Sequence, residues 1–234
     1  MHSTVNFELG GTFPVTDSAL RELADDPSSR KRFFKMLGGA GAVSAFSIAL
    51  AACGDDDKPK APAAAAASDD TKSNKTDLEI LNYALTLEYL EAEFYDGVIA
   101  SGIVKDPKVV SIAKKFGSTE QEHVDALTAT IKKLGGKPVA KPKTNFGPTL
   151  DKGLKAVLLA AADVENLGAA AYLGQAAAIK DKAILASALA IHSVEGRHAA
   201  ALNVLTGKPA TDTAFAEPAD AATVLESVQP FIVA

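Results

Sequence analysis

Apolar residues recur at intervals of three and four along four stretches of the chain, the spacing of one buried face on an α-helix. The most regular stretch runs through Ile184, Ala188, Ile191, Glu195, His198, Leu202 and Leu205, alternating steps of four and three. It predicts a helix from the tight link at Lys180-Asp181 to Leu205, stopped by Gly207 and Pro209. Upstream, Leu154, Leu158, Ala161, Glu165, Gly168, Tyr172, Ala176 and Ile179 share one face of a helix over 149–179. Asp106-Pro107 supplies an N-cap and a first-position proline for a helix to Leu134, with Ala113, Phe116, Glu120, His123, Leu127, Thr130 and Leu134 inward. Gly135-Gly136 ends it. The first helix starts at Thr76-Asp-Leu-Glu79, which has the form of a capping box, and runs to about Ala100. Its inward face reads Leu81, Ala84, Glu88, Glu91 or Ala92, Tyr95 and Val98.

The connections decide the arrangement. Between Gly135 and Pro148 lie three prolines and three glycines, a loop of 14 residues that spans roughly 45 Å if extended. That is about the length of a 28-residue helix, so the loop can cross from one end of a bundle to the other and helices two and three can run the same way. Residues 221–228 form a candidate short fifth helix before Pro230-Phe-Ile-Val, which is expected to pack on the outside. The predicted fold is all-α: a four-helix bundle over 77–206 with a long crossover between helices two and three, and a C-terminal tail over 207–234.

The chain before the bundle has a different character. Residues 1–28 are polar without a usable period and read as disordered. Ser29-Arg-Lys-Arg-Phe-Phe-Lys35 leads into an uncharged run of 17 residues, 36–52, rich in Gly and Ala. A positive segment, a weakly apolar one and small residues before a cut describe an export signal over 1–52. Gly38, Gly39 and Gly41 make this run a poor permanent membrane span. The segment 29–35 resembles the twin-arginine export motif with Lys31 in place of the second arginine, which leaves the general secretory route open. Leu50-Ala-Ala-Cys53 resembles a bacterial lipobox, which implies cleavage before Cys53 and lipidation of its thiol; the plain alternative is an ordinary cleavage site that happens to precede a cysteine. The Ala-, Pro-, Lys-, Asp- and Ser-rich segment 53–76 reads as a flexible tether. The protein is thus expected in the cell envelope, touching the membrane through its lipid anchor only.

Composition narrows the function. Apolar residues make up 47% of the chain but aromatics only 6%, with no Trp, which suits close-packed helices. A net charge of −5 and the lack of a basic stripe give no support for nucleic-acid binding. One cysteine excludes an internal disulfide framework.

The apolar faces are interrupted at their centres by acids, and the interruptions repeat. Glu88 and Tyr95 are followed by Glu120-x-x-His123; Glu165 and Tyr172 are followed by Glu195-x-x-His198. On helices, Glu and Tyr at i and i+7 share a face, as do Glu and His at i and i+3. Four carboxylates aimed at a core need counter-charge, and the inward faces supply no Lys or Arg. Two divalent cations with two neutral imidazoles would close the set to neutrality. One Glu from each of two helices plus a Glu-x-x-His from each of the others is the arrangement of di-iron and di-manganese carboxylate bundles. Mixed carboxylate and imidazole donors favour Fe or Mn over Ca, Mg or structural Zn.

With these residues the chain resembles the ferritin-like superfamily. The segments LNYALTLEYLEAEFY, ENLGAAAYLG and VEGRHAAAL are similar to exported bacterial ferritin-like proteins of the desiccation-related type. The resemblance covers about Leu78 to Leu205 and implies that Glu88, Glu120, His123, Glu165, Glu195 and His198 are metal ligands, with Glu120 and Glu195 bridging. Glu91 is either an alternate ligand or a residue at the edge of the stripe, and the repeat favours the edge. His192 is expected at the surface or behind the ligands, and Glu93, Glu122 and Asp125 in solvent. Tyr95 and Tyr172 are either core filler or groups that hold ligand carboxylates and act near the metals. Arg197 is a candidate partner for an outer carboxylate, which the sequence does not decide.

Two Fe or two Mn ions would make the protein an oxidoreductase for O2 or H2O2, acting as a ferroxidase, peroxidase or catalase-like enzyme. The alternative is a non-catalytic envelope stress or desiccation protein whose metals hold the bundle together. Iron storage in a cage fits poorly with a lipid anchor and tether, and assembly as a homodimer is left open.

Overall fold

The computed structural model describes residues 67–233, with side chains from residue 74 onward. The export and lipidation segments, Cys53 among them, lie outside the described residues. Among those described, nearly all regular structure is helical: α1 (Ala67–Ser101), α2 (Pro107–Lys133), α3 (Gly147–Leu150), α4 (Leu154–Ala176), α5 (Lys182–Leu205) and α6 (Ala221–Val228). The strands β1 (Lys143–Thr144) and β2 (Ile232–Val233) form one short antiparallel pair.

Two of the expected helix starts are displaced. α1 begins at Ala67, nine residues before the capping box, because 67–76 contains no Gly or Pro to stop a helix. Thr76-Asp-Leu-Glu79 is therefore helix interior. Asp77 is buried and its two carboxylate oxygens each accept a backbone N–H at 2.8 Å, from Lys180 and Asp181, fixing the link before α5. The expected helix over 149–179 is broken at Gly153, whose φ of 91° lies in the left-handed region that costs any other residue a strain. The chain makes the single turn α3 and starts α4 at Leu154; α4 then ends at Ala176. α2, α5 and α6 lie where the periodicity and caps put them. Asp106 caps α2 by accepting from the N–H groups of Lys108 and Val109, and Asp181 does the same for α5 with Ala183 and Ile184.

α1 packs with α2 and α4 with α5, and the two pairs close a bundle through α1 and α4. The crossover traces α1 along its length. Gly136 abuts Leu78, the Val139 N–H donates to Asn82 Oδ1 at 2.6 Å, Lys141 pairs with Glu93 at 2.7 Å, and Phe146 meets Phe94 edge-on with centroids 5.3 Å apart. Residues 78 to 94 of a helix cover about 24 Å, so α4 starts near the end of α1 and runs parallel to α2, the direction the loop length allows. Glu93, expected in solvent, is an anchor of this crossover: Thr144 Oγ1 donates to its other oxygen. α4 is long and apolar enough by composition to cross a membrane; here it carries Glu165 into the bundle.

The tail crosses the outside of α4. The Ala219 N–H donates to Ala170 O at 3.0 Å, Val224 and Val228 of α6 are buried, and Phe231 lies against Phe146 before β2 pairs with β1. The core divides into two apolar regions. One, around Phe94, Phe116, Phe146 and Leu202, fills the end where α1 finishes. The other, around Leu81, Leu127, Ile131, Ile184 and Ile191, fills the opposite end and is aliphatic apart from tyrosines. The acids lie between them.

Candidate metal centre

All six repeat residues meet in the middle of the bundle. Glu88, Glu120, Glu165 and Glu195 have no exposed surface, and His123 and His198 are buried. Their donor atoms fall into two groups, each within 4.8 Å: Glu88, Glu120, His123 and Glu195 in one, Glu120, Glu165, Glu195 and His198 in the other. Glu120 and Glu195 belong to both. Such a cluster can hold metal ions.

The helix period explains the convergence. Each Glu-x-x-His pair occupies adjacent turns of one face, and α2 and α5 run antiparallel, so His123 faces Glu195 and His198 faces Glu120. His123 Nδ1 stands 2.9 Å from Glu120, 3.1 Å from Glu88 and 3.2 Å from Glu195. His198 Nδ1 stands 2.9 Å from Glu120 and 3.2 Å from Glu165. The Phe116 ring stacks on His198 with centroids 3.7 Å apart, fixing the imidazole plane.

The tyrosines cross between halves. Tyr95 Oη donates to Glu165 Oε1 at 2.5 Å, and Tyr172 Oη donates to Glu88 Oε1. Each outer carboxylate is thereby held by one oxygen while the other, Oε2, is turned to the imidazoles. Burial first, and the adjacent carboxylates second, push both tyrosine hydroxyls well above their ordinary pKa, so both donate rather than ionise.

Burial is the leading influence on Glu88, Glu91, Glu120 and Glu195. It raises Glu88, and with neighbouring carboxylates it raises Glu91 and Glu195 well above the carboxylate range. Glu120 goes the other way, to about 2: burial opposes its ionisation, but the two imidazoles at 2.9 Å outweigh it. Glu195 has one imidazole at 3.2 Å, which is too little. Burial also disfavours imidazolium, yet the carboxylates hold His123 well above its usual range and His198 at about 9. Without metal, protons supply the positive charge that the cluster demands.

Protons satisfy it poorly. Both oxygens of Glu120 and of Glu195, Glu165 Oε2 and His198 Nδ1 are buried without a hydrogen-bond partner of acceptable geometry. Their close approaches converge on shared points instead of pairing donor with acceptor. Buried polar atoms are otherwise almost always paired, and a cation at each shared point would satisfy them all. The donor set fits bound metal ions.

Glu91 departs from expectation. It is not at the edge of the stripe but buried among the acids, a seventh ionisable group at the centre. Gly168 makes its room: a Cβ there would lie 2.7 Å from Glu91 Oε1 and 3.2 Å from Glu195 Oε2. Its i+3 spacing from Glu88 was the available signal. It also borders a small cavity under the tail, lined by Leu90, Phe94, Phe146, Val228 and Phe231. His192 is outside the cluster, with Nδ1 2.9 Å from Ala169 O, where it links α5 to α4. Arg197 is exposed and its Nε donates to Ser193 O. Asp125 accepts from Gln121 and, like Glu122, is partly exposed.

The sequence model of a family described as Ferritin-like domain matches residues 76–208, more than half of the chain. No curated protein matches it.

Proposed function

Because the chain belongs to the ferritin-like domain family, we propose that Glu88, Glu120, His123, Glu165, Glu195 and His198 hold two metal ions, Fe or Mn, for reaction with O2 or peroxide. The observation that carries this reading is the sharing of Glu120 and Glu195, with all their oxygens unpaired, between two four-residue groups. Glu88 and His123 complete one position, Glu165 and His198 the other. When bound, the metal pair supplies the electrons that reduce the oxidant.

The chain's own residues set the conditions. Tyr172 and Tyr95 orient Glu88 and Glu165, so that one oxygen of each is presented inward. Phe116 prevents His198 from turning. Solvent is excluded from all four carboxylates, which strengthens every electrostatic interaction among them. Glu91 is pushed well above the usual carboxylate range by burial and by the neighbouring carboxylates. The segment 29–53 supports export and tethering through a lipidated Cys53.

A second reading keeps the metals but not the turnover. The cluster joins all four long helices, so metal binding adds directly to bundle stability, as a stress-protective protein would use it. Metal content and peroxide consumption of purified protein separate the two, measured for wild type and for Glu120→Ala/Glu195→Ala. About two Fe or Mn per chain, lost with turnover in the double variant, is the expected result. Metal without turnover favours the protective role. No uptake after anaerobic Fe(II) and Mn(II) loading would refute both.

A further inference from the structure

The bundle holds an apolar cavity against the candidate metal centre. It is lined from all four long helices, by Ala84 and Leu87 of α1, Leu127 and Thr130 of α2, Ala171 and Tyr172 of α4, and Ser187 and Ile191 of α5, among others. Ala84, Leu87, Leu127 and Ile191 each stand one helical turn or less from a repeat Glu or His. The cavity reaches outward past Ile80 and Gln175 to Ile179 and Ile184 at the bundle end. Its inner wall is Tyr172, whose hydroxyl is committed to Glu88.

Its polar lining residues are Thr130, Ser187, Gln175, Tyr172 and Tyr83, whose buried hydroxyl has no hydrogen-bond partner. Thr130 Oγ1 donates to Ala126 O at 2.8 Å and Ser187 Oγ to Ala183 O at 2.9 Å, so both residues are tied to their own helices. The free volume open to the centre of a water-sized molecule is about 20 Å³. That is room for one or two very small molecules, and too little for an acyl chain.

The repeat relates the cavity wall to the other end of the bundle. The pairing of Glu88 with Glu165 and of Glu120 with Glu195 relates Ala171 to Phe94, Ile191 to Phe116, Ser187 to Ile112 and Thr130 to Leu205. At these four positions the cavity end carries the smaller side chain, and the other end is packed with phenylalanine. The reverse holds at Tyr83, Ile80, Leu87 and Ile184, whose counterparts are Ala160, Val157, Val164 and Val109.

We propose that this cavity is a binding site for dioxygen and its approach to the metal pair, which makes dioxygen rather than peroxide the oxidant taken from this side. The inference rests on the proposed metal site. A cavity lined mainly by carbon offers peroxide few partners for its two donors and two acceptors, so peroxide would have to leave most of its water hydrogen bonds behind. Dioxygen has no such bonds to lose, and apolar cavities in proteins take up xenon and other apolar molecules.

Xenon, apolar and monatomic, tests the site without any metal, by xenon-pressurised crystallography or by chemical-shift titration of the cavity methyls. The expected result is xenon in this cavity in the wild-type chain and none in Ser187→Ile/Thr130→Leu, which writes the repeat's own larger residues into it. In Fe(II)-loaded protein the same variant should slow oxidation by dioxygen at least tenfold and leave oxidation by peroxide unchanged. Should the double variant melt far below wild type, Ala188→Leu replaces it. An absence of xenon, xenon only in the cavity beside Glu91, or equal slowing of both oxidants would overturn the proposal. Xenon reads the cavity alone, so an empty cavity refutes this inference with the metal site intact, whereas failed metal uptake refutes the site itself.

Discussion

Raising the pH should weaken the metal-free bundle and favour the metal-loaded one, and the two effects share a cause. His198 is held at about 9, against an ordinary value of 6.5, because the gain from Glu165 and Glu120 outweighs burial. A folded value above the unfolded one means stability that is fully present below about 6.5 and lost as pH rises through 9. For His198 alone that amounts to roughly 3 kcal/mol, or a fall in Tm of about 10 °C for a domain of this size. His123, Glu91 and Glu195 are also raised, so they act in the same direction. Glu120 acts oppositely, but its contribution is lost only toward about 2, outside this range. Metal reverses the slope: it must displace the imidazole protons, and its binding strengthens as they become easier to remove. Circular-dichroism melts at pH 6.5, 7.5 and 9, with and without Mn(II), read both arms. The metal-free Tm should fall and the shift on adding Mn(II) should grow. A flat or rising metal-free Tm would refute the electrostatic account, and a metal shift that shrinks with pH would show that these imidazoles are not ligands.

Three substitutions test individual contacts. Gly168→Ala should expel the Glu91 carboxyl or strain Glu195, at a cost of about 1–3 kcal/mol, with weaker metal retention by equilibrium dialysis; unchanged stability and retention would show that the packing there is loose. Asp77→Ala removes an acceptor from two backbone N–H groups, and since Lys180 and Asp181 are exposed and water can replace it, about 2 kcal/mol is expected in urea denaturation. Metal stoichiometry should not change. Gly174→Ala would place a Cβ 1.9 Å from Ala219 O and so lift the tail off α4, which limited proteolysis should report as new cleavage between residues 207 and 220.

The bundle was legible because its helices are long and each carries a periodic inward face. α2 and α5 have aspartate caps whose carboxylates bond the first N–H groups, a local device that local sequence displays. The displaced starts failed for non-local reasons. Asp77 looks like part of a capping box, yet its partners are 103 and 104 residues away. Glu93 carries no mark in the sequence of its contacts with the crossover, which depend on where that loop is laid down. The break at Gly153 is a matter of one φ angle, and a glycine inside an apolar period is compatible with either outcome.

The repeat itself both revealed the cluster and concealed part of it. Matching one half to the other selects residues that are the same in each, so it found the six converging groups and the two tyrosines that hold them. It passed over Glu91 because the related position is Gly168. The structure shows these two positions facing each other, one supplying a carboxyl and the other the space for it. Two glutamates there would crowd a sixth acid into a site already short of counter-charge, and two glycines would leave a void, so the asymmetry is what packing and charge together require. The two ends of the bundle differ in the same way, with Phe94 and Phe116 at one where Ala171 and Ile191 stand at the other. Symmetry fixes where metals can sit; departures from it decide what can reach them and from which side.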